Sequence, residues 1–323
     1  MLDLFFIVVG LTGLVWSSDK FVEGAAAIAN HAGMSPLLIG MTIVSLGTSA
    51  PEIVVSLMAS LSGSGELAVG NALGSNITNV GLVLGVTLII RVIAIDVSAT
   101  KRELPQMLIA TLFAGALMAD GSLSATDGVL LLVGLVLFLV LLARRGKTKP
   151  NQTSEPPTLP VAKAWGVFTV GLVLLMLSSR ALVFGAVNIA TALGVSELII
   201  GLTIVAIGTS LPELAASVMS ALKGHADIAV GAIVGSNVFN LLVVLAIPGI
   251  FGPLSLHPSV MSRDWPVTLL TAGVLMFLAA LASKRSESSG RRSNELGRVS
   301  GVLLVTIYTT YMGILIFYPD FAL

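Results

Sequence analysis

The stretch PLLIGMTIVSLGTSAPEIVVSLMASL, residues 36–61, places a glycine, two hydroxyl residues, a proline and a glutamate inside a long apolar run. A transmembrane helix needs about 20 mostly apolar residues, so this run can cross a bilayer. A carboxylate at membrane depth is costly, and proline removes a backbone hydrogen bond. The chain nevertheless repeats the feature, because GTSAPE at residues 47–52 returns as GTSLPE at residues 208–213. A costly feature that occurs twice indicates a functional site.

Composition places these runs in a polytopic membrane protein. Of the 323 residues, 55% are hydrophobic and 11% are charged, whereas soluble domains carry about 25% charged residues. Basic and acidic residues both number 17, so the net charge indicates no nucleic-acid partner, and the lipid bilayer is the partner that we expect. The absence of cysteine excludes disulfides, thiolate metal sites and a cysteine nucleophile. The first residues, MLDLFF, lack a basic region, and we expect them to begin a membrane helix rather than a cleaved signal.

Apolar segments predict an all-α polytopic membrane protein with ten transmembrane helices. A polar, proline-rich linker at 144–161 divides the chain into a first five-helix repeat, 1–143, and a second, 162–323. We expect no obligate protein partner, because the loops are short and polar. The ten segments are 2–28, 36–61, 66–90, 104–120, 123–143, 162–190, 196–222, 226–250, 265–282 and 299–318.

The two halves are copies of one another. Residues 33–84 align on residues 194–245 at a constant shift of 161 without a gap, and 26 of the 52 positions are identical. Because each half holds an odd number of predicted spans, the copies must cross the membrane in opposite directions. Inverted repeats of this kind are common in secondary transporters, whose sites lie at the repeat interface near the midplane. The predicted fold is therefore two inverted five-helix repeats.

Basic residues predict the orientation. If the 144–161 linker is cytoplasmic, 14 of the 17 basic residues lie on the cytoplasmic side and only Arg263 lies outside, while Lys20 and Arg180 stay unassigned. We therefore expect a multi-pass inner (plasma) membrane protein with both termini outside.

Polar residues near each motif recur at helical spacing, which places them on one face of a helix. Pro51 and Pro212 each free a backbone carbonyl about one turn upstream, near Gly47 and Thr48 in the first motif and near Gly208 and Thr209 in the second. Carbonyls, hydroxyls, amides and carboxylates are hard oxygen ligands, which suit Ca²⁺ and can also hold Na⁺. The spaced side chains are Ser45, Ser49, Glu52, Ser56, Ser75 and Asn79 in the first repeat, and Ser210, Glu213, Ser217, Ser236 and Asn240 in the second.

Two buried carboxylates also predict how ions are coupled. Moving uncompensated charge through a low-dielectric barrier is costly. A site that moves only when cations or protons neutralise it is an exchanger and not a leak.

The pairs GTSAPE with GSNITN and GTSLPE with GSNVFN resemble the two alpha-repeat motifs of the calcium/cation antiporter superfamily. Length, span number and short linker are similar to its bacterial sodium/calcium exchanger branch. The resemblance implies an antiporter that exchanges Ca²⁺ for Na⁺, with these ions as substrates and no cofactor. By matching position it implies ten ion-contacting residues. They are the carboxylates Glu52 and Glu213, the hydroxyl or carbonyl positions Thr48, Ser49, Thr209 and Ser210, the hydroxyls Ser75 and Ser236, and the amides Asn79 and Asn240.

Alternatives remain at this point. Many relatives carry Asp at one of the two amide positions, K⁺-dependent members among them, so Asn79 and Asn240 argue against K⁺ co-transport. A Ca²⁺/H⁺ exchanger on the same scaffold is the nearest rival. A channel is a further alternative, although inverted repeats fit alternating access better. An intramembrane enzyme using Glu52 and Glu213 as an acid/base pair has no other support, since the chain lacks HExxH and a nucleotide loop.

Overall fold

The computed structural model describes residues 2–96, 99–144, 159–194, 206–288 and 293–318. Helices dominate both halves. In the first half, the break between α2 and α3 falls at the GTSAPE motif. The helices of the first half are α1 (Leu2–Ala32), α2 (Pro36–Thr48), α3 (Ala50–Leu61), α4 (Gly65–Ile90), α5 (Leu104–Met118) and α6 (Ala125–Ala143).

The second half follows the same order. Its GTSLPE motif again separates two helices, although residues 195–205, ahead of the motif, lie outside the described part. The helices of the second half are α7 (Val161–Ala192), α8 (Ala206–Thr209), α9 (Leu211–Leu222), α10 (Ala226–Phe251), α11 (Trp265–Ser288) and α12 (Arg298–Phe317).

Helices lie in all ten predicted segments, which confirms the all-α polytopic class. Within the described residues, seven helices are long and apolar enough to cross a membrane, and the bent α2–α3 pair makes an eighth. The segment 104–120 forms α5, which has 15 residues. The segment 196–222 begins outside the described residues. The number of ten spans therefore stays a prediction.

The inversion of the repeats is visible where α1 packs against its counterpart α7. A Cβ built on Gly10 would lie 2.7 Å from the backbone nitrogen of Leu182, and one on Gly171 would lie 2.6 Å from that of Phe21. The two contacts are related by the shift of 161. Residue numbers rise along α1 as they fall along α7, so the counterpart helices are antiparallel, as the odd number of predicted spans requires.

Two short antiparallel ribbons join the repeats, and neither was predicted. Strand β1 (Ile93–Asp96) pairs with β4 (Ser293–Leu296), and β2 (Ser122–Leu123) pairs with β3 (Leu254–Ser255). Each ribbon takes one strand from each half of the chain. Runs of two to four residues are too short for a periodic hydrophobic signal.

Helices α4 and α10, which carry the two GSN motifs, form the centre of the molecule. In the most apolar window of each helix, 72% of α4 and 94% of α10 is buried, against 22% for α1, α6, α7 and α12. The largest apolar cluster lies around α4, α5 and α10. Polar residues of the two GSN motifs are thereby held in the interior, away from lipid.

Candidate cation site

The backbone breaks at both GTSxPE motifs, as the prolines predict. Helices α2 and α3 meet at Ser49 with a bend of 44°. Ser49 has φ −81° and ψ 3°, and its counterpart Ser210 has φ −92° and ψ 6°, so both motifs take the same turn. Pro51 and Pro212 each lie in the first turn of the following helix, where proline is tolerated.

The turn places each glutamate in the first turn of a helix and inside the protein. Glu52 is 1% exposed in α3, and Glu213 is 3% exposed in α9. The partial positive charge of a helix N-terminus favours a carboxylate at this position. The predicted pair of buried carboxylates is therefore present, one from each repeat.

The two motifs face each other across the repeat interface. The carboxyl group of Glu213 interacts electrostatically with Glu52 and faces the hydroxyl groups of Thr48 and Ser49 in the other repeat. Neither hydroxyl forms a hydrogen bond of normal distance and angle with Glu213, and both carboxyl oxygens of Glu213 lack a hydrogen-bond partner. Polar groups of the two repeats thus face each other without being joined by hydrogen bonds.

Helices α4 and α10, which carry the GSN motifs, contribute the remaining predicted residues. Ser75, Asn79, Ser236 and Asn240 are at most 6% exposed, in the middle of α4 and α10. Asn79 and Asn240 each begin a π-helical turn, Asn79–Leu84 and Asn240–Val244. Short π turns inside α-helices are frequent at functional sites because they redirect side chains.

Many buried oxygen atoms of these residues accept no hydrogen bond within the described part. Leaving a buried polar group unpaired costs roughly 1–3 kcal/mol, more for a charged one. A cation bound beside such unpaired oxygens would stabilise them. The unpaired atoms are Ser49 Oγ, Glu52 Oε2, Asn79 Oδ1, Ser210 Oγ, both Glu213 carboxyl oxygens, Ser236 Oγ and Asn240 Oδ1.

The described residues bring no three His, Asp or Glu side chains together. A cation held here has only two carboxylates and must take its other ligands from hydroxyl, amide and carbonyl oxygens. Such a ligand set matches hard cations and not Zn²⁺ or Cu²⁺.

Three predicted hydroxyls differ from the rest. Thr48 Oγ1 donates weakly to Ser45 O at 3.4 Å, within its own helix. Thr209 also interacts with a neighbour, and it lines a cavity of ≈ 370 Å³ next to the two prolines. Ser75 is buried beside Asn76. None of these three side chains is among the unpaired oxygens, and Thr48 faces the carboxyl group of Glu213.

Asn71 was not predicted, yet it supports the site. Its Nδ2 atom donates to Glu52 O at 3.1 Å and to Ser56 Oγ at 3.2 Å, which links α4 to α3 behind the carboxylate. Its counterpart in the second repeat is Ala232. The sequence analysis selected residues that recur in both repeats, and Asn71 does not recur.

Asn76 and Asn237, of the GSN motifs, were also not proposed as site residues. Both are buried, and Asn76 has no partner for either side-chain atom. Asn237 donates to Met107 Sδ at 3.5 Å. Their repetition in the two motifs is the signal that marks them.

Comparisons with known proteins show the family of the chain. The family model described as sodium/calcium exchanger protein matches residues 2–144 and 163–317. A putative antiporter, CaxA, of Alkalimonas amylolytica is 44% identical over 96% of this chain and 97% of its own length. The inner membrane protein YrbG of Escherichia coli (strain K12) is 40% identical over 96% of this chain and 95% of its own length.

A solved structure of a sodium-calcium exchanger has the same fold. The sodium-calcium exchanger NCX_Mj, in a crystal soaked with Na⁺ and Ca²⁺, superposes with a TM-score of 0.83 at 31% identity. The match covers 97% of this chain and 98% of that one. A family match over both halves, together with close relatives along almost the whole chain, identifies the family. The chain belongs to the sodium/calcium exchanger protein family, which comprises cation antiporters and not enzymes.

Proposed function

We propose that this protein exchanges Ca²⁺ for Na⁺ across the inner membrane by alternating access. The observation that carries the proposal is the set of buried, unpaired oxygens contributed by both repeats, which includes both glutamates. The proposed ligands are the carboxylates of Glu52 and Glu213 with the surrounding neutral oxygens. They are Thr48, Ser49, Ser75 and Asn79 from the first repeat and Thr209, Ser210, Ser236 and Asn240 from the second.

Charge explains why such a site would couple two ion flows. Two carboxylates in a low-dielectric interior resist any movement that leaves them uncompensated. One Ca²⁺ neutralises both, and Na⁺ ions can neutralise them in its place. The empty site is then the state that changes conformation least readily, so one ion must replace the other for transport to continue.

Relatives support the same ions. The sodium/calcium exchanger MaX1 of Methanosarcina acetivorans is 29% identical over 96% of this chain. The matched NCX_Mj crystals were soaked with Na⁺, Ca²⁺ or Sr²⁺. With the positive residues inside, we further propose that both termini lie outside and that 144–161 is a cytoplasmic linker between repeats 1–143 and 162–323.

The test is ⁴⁵Ca²⁺ uptake into proteoliposomes that are loaded with Na⁺ and diluted into Na⁺-free buffer. We expect uptake only while an outward Na⁺ gradient exists, and none in choline-loaded vesicles. Uptake that follows a pH gradient without Na⁺ would instead support the Ca²⁺/H⁺ exchanger. Folded protein that shows no gradient-driven Ca²⁺ flux would contradict both assignments.

Exchange should not require K⁺. Asn79 and Asn240 are neutral, so the proposed site has two negative charges and no third carboxylate for an additional cation. We expect equal Na⁺-driven Ca²⁺ uptake in K⁺-free buffer and in buffer with K⁺ on the Ca²⁺ side. The matched control is Asn79→Asp, which adds a carboxylate at the same position. Uptake by the unmodified protein that stops without K⁺ would contradict this prediction.

A further inference from the structure

Ser179 joins α7 to the bend of the second GTSxPE motif. Its side chain is buried, and its hydroxyl donates to Gly208 O at 2.8 Å. Gly208 O lies four residues before Pro212, so it is the carbonyl that loses its helical donor to the proline. The hydroxyl of Ser179 replaces that donor, directly next to Thr209.

The equivalent hydrogen bond is absent from the first repeat. The shift of 161 makes Ser18 the counterpart of Ser179 and Gly47 the counterpart of Gly208. Ser18 is also buried, but its hydroxyl donates to Val15 O at 3.0 Å within α1. No described side chain donates to Gly47 O. The same pair of residues is therefore bonded in one repeat and separate in the other.

The asymmetry does not arise inside the α1–α7 pair. The contacts of Gly10 with Leu182 and of Gly171 with Phe21 are related by the repeat, so the two helices pack symmetrically on each other. What differs is how the pair meets the two bends. Another pair of counterparts also has different surroundings in the two repeats. Val54 is 48% exposed and lines the cavity beside Gly208, whereas its counterpart Ala215 packs against a buried apolar cluster.

We propose that Ser179 and Ser18 are positioning residues that donate alternately. The Ser179–Gly208 hydrogen bond belongs to the conformation described above, and a Ser18–Gly47 hydrogen bond belongs to the opposite-facing one. In an inverted repeat the two end states exchange the roles of the halves, so a contact made by one half predicts its counterpart in the other state. The proposal rests on the proposed exchange function, because an antiporter must visit both states.

The consequence for the site is that one of the two freed carbonyls always accepts from a serine side chain while the other does not. In the conformation described here, Gly208 O accepts from the side chain of Ser179, whereas Gly47 O has no side-chain donor among the described residues and accepts only from the backbone N–H of Ser49. In the opposite conformation these roles reverse. The two serines would then set the relative populations of the two conformations without contacting the transported ion.

The chain contains no cysteine, so single cysteines can report each conformation. Val54→Cys reports the accessibility of the cavity beside Gly208, and Ala215→Cys reports the accessibility of the equivalent position in the second repeat. In purified protein, Ser179→Ala should slow maleimide labelling at position 54 and speed it at position 215. Ser18→Ala should do the opposite. One neutral hydrogen bond supports a change of about fivefold in the ratio of the two states.

The double variant Ser18→Ala/Ser179→Ala should return both labelling rates close to those of the parent, since both states lose one hydrogen bond. Ser179→Thr and Ser18→Thr keep a hydroxyl and should label like the parent. If both alanine variants change a reporter in the same direction, or neither changes either reporter, the proposal is wrong. Labelling needs no ion gradient, so failure of Ca²⁺ exchange in vesicles is a separate result.

Discussion

Glu52→Gln and Glu213→Gln should each abolish Na⁺-driven Ca²⁺ uptake. The substitution keeps the size of the side chain and removes one of two buried negative charges, so Ca²⁺ would be left only half neutralised. Loss of an outer partner of a metal ligand costs 10–100-fold, and a direct ligand should cost more. We expect uptake to fall by at least about 100-fold in each single variant, measured as the initial ⁴⁵Ca²⁺ rate in Na⁺-loaded proteoliposomes.

Glu66→Gln is the matched control for this experiment. Glu66 lies in the first turn of α4, as Glu52 lies in the first turn of α3, but its side chain is exposed. An exposed substitution of this kind should change the rate by no more than about twofold. If either buried-site variant retains half of the parent rate at equal reconstitution, that glutamate is not a ligand of the transported cation.

Gly231→Ala should destabilise the protein, because α2 and α10 approach each other at backbone distance. A Cβ on Gly231 would collide with Leu37 O and lie 3.1 Å from the Cα atom of Gly40. Backbone atoms cannot rotate away as a side chain can, so the helices must separate. Overpacking of this kind costs about 1–3 kcal/mol. We expect the Tm of purified protein, followed by circular dichroism in detergent, to fall by about 5 °C.

Gly70→Ala tests whether this cost comes from the contact or from the helix. Gly70 is the counterpart of Gly231 in α4, and a Cβ there meets no atom within 4 Å. Because alanine favours a helix over glycine by about 1 kcal/mol, Gly70→Ala should leave the Tm unchanged or raise it slightly. Equal decreases in both variants would show that close approach of α2 and α10 is not the cause.

Repetition in the sequence predicted most of the fold and selected most of the residues that we propose for the site. A shift of 161 with 26 of 52 identities fixes which residues are counterparts, and an odd number of predicted segments per half fixes that the copies are inverted. The break ahead of each proline follows from a local rule that acts within a few residues, and the burial of Glu52 and Glu213 was expected because each lies inside a long apolar segment. These predictions needed no knowledge of how the halves pack.

Contacts across the interface came only from the tertiary structure. The approach of Thr48 and Ser49 to Glu213, and the ribbons that pair strands from opposite halves, join residues far apart in sequence. Asn71 supports Glu52 from another helix and has no repeated counterpart to reveal it.

The inequality of the two repeats is the feature that the sequence could least predict. GTSAPE and GTSLPE are nearly the same, and their serine and glycine counterparts are identical, yet Ser179 bonds to Gly208 while Ser18 does not bond to Gly47. Local sequence determines what each repeat is able to form. Which repeat forms it depends on how α1 and α7 lie against the two bends. That position belongs to the packed conformation, because the sequence within a helix does not determine how separate helices pack on one another.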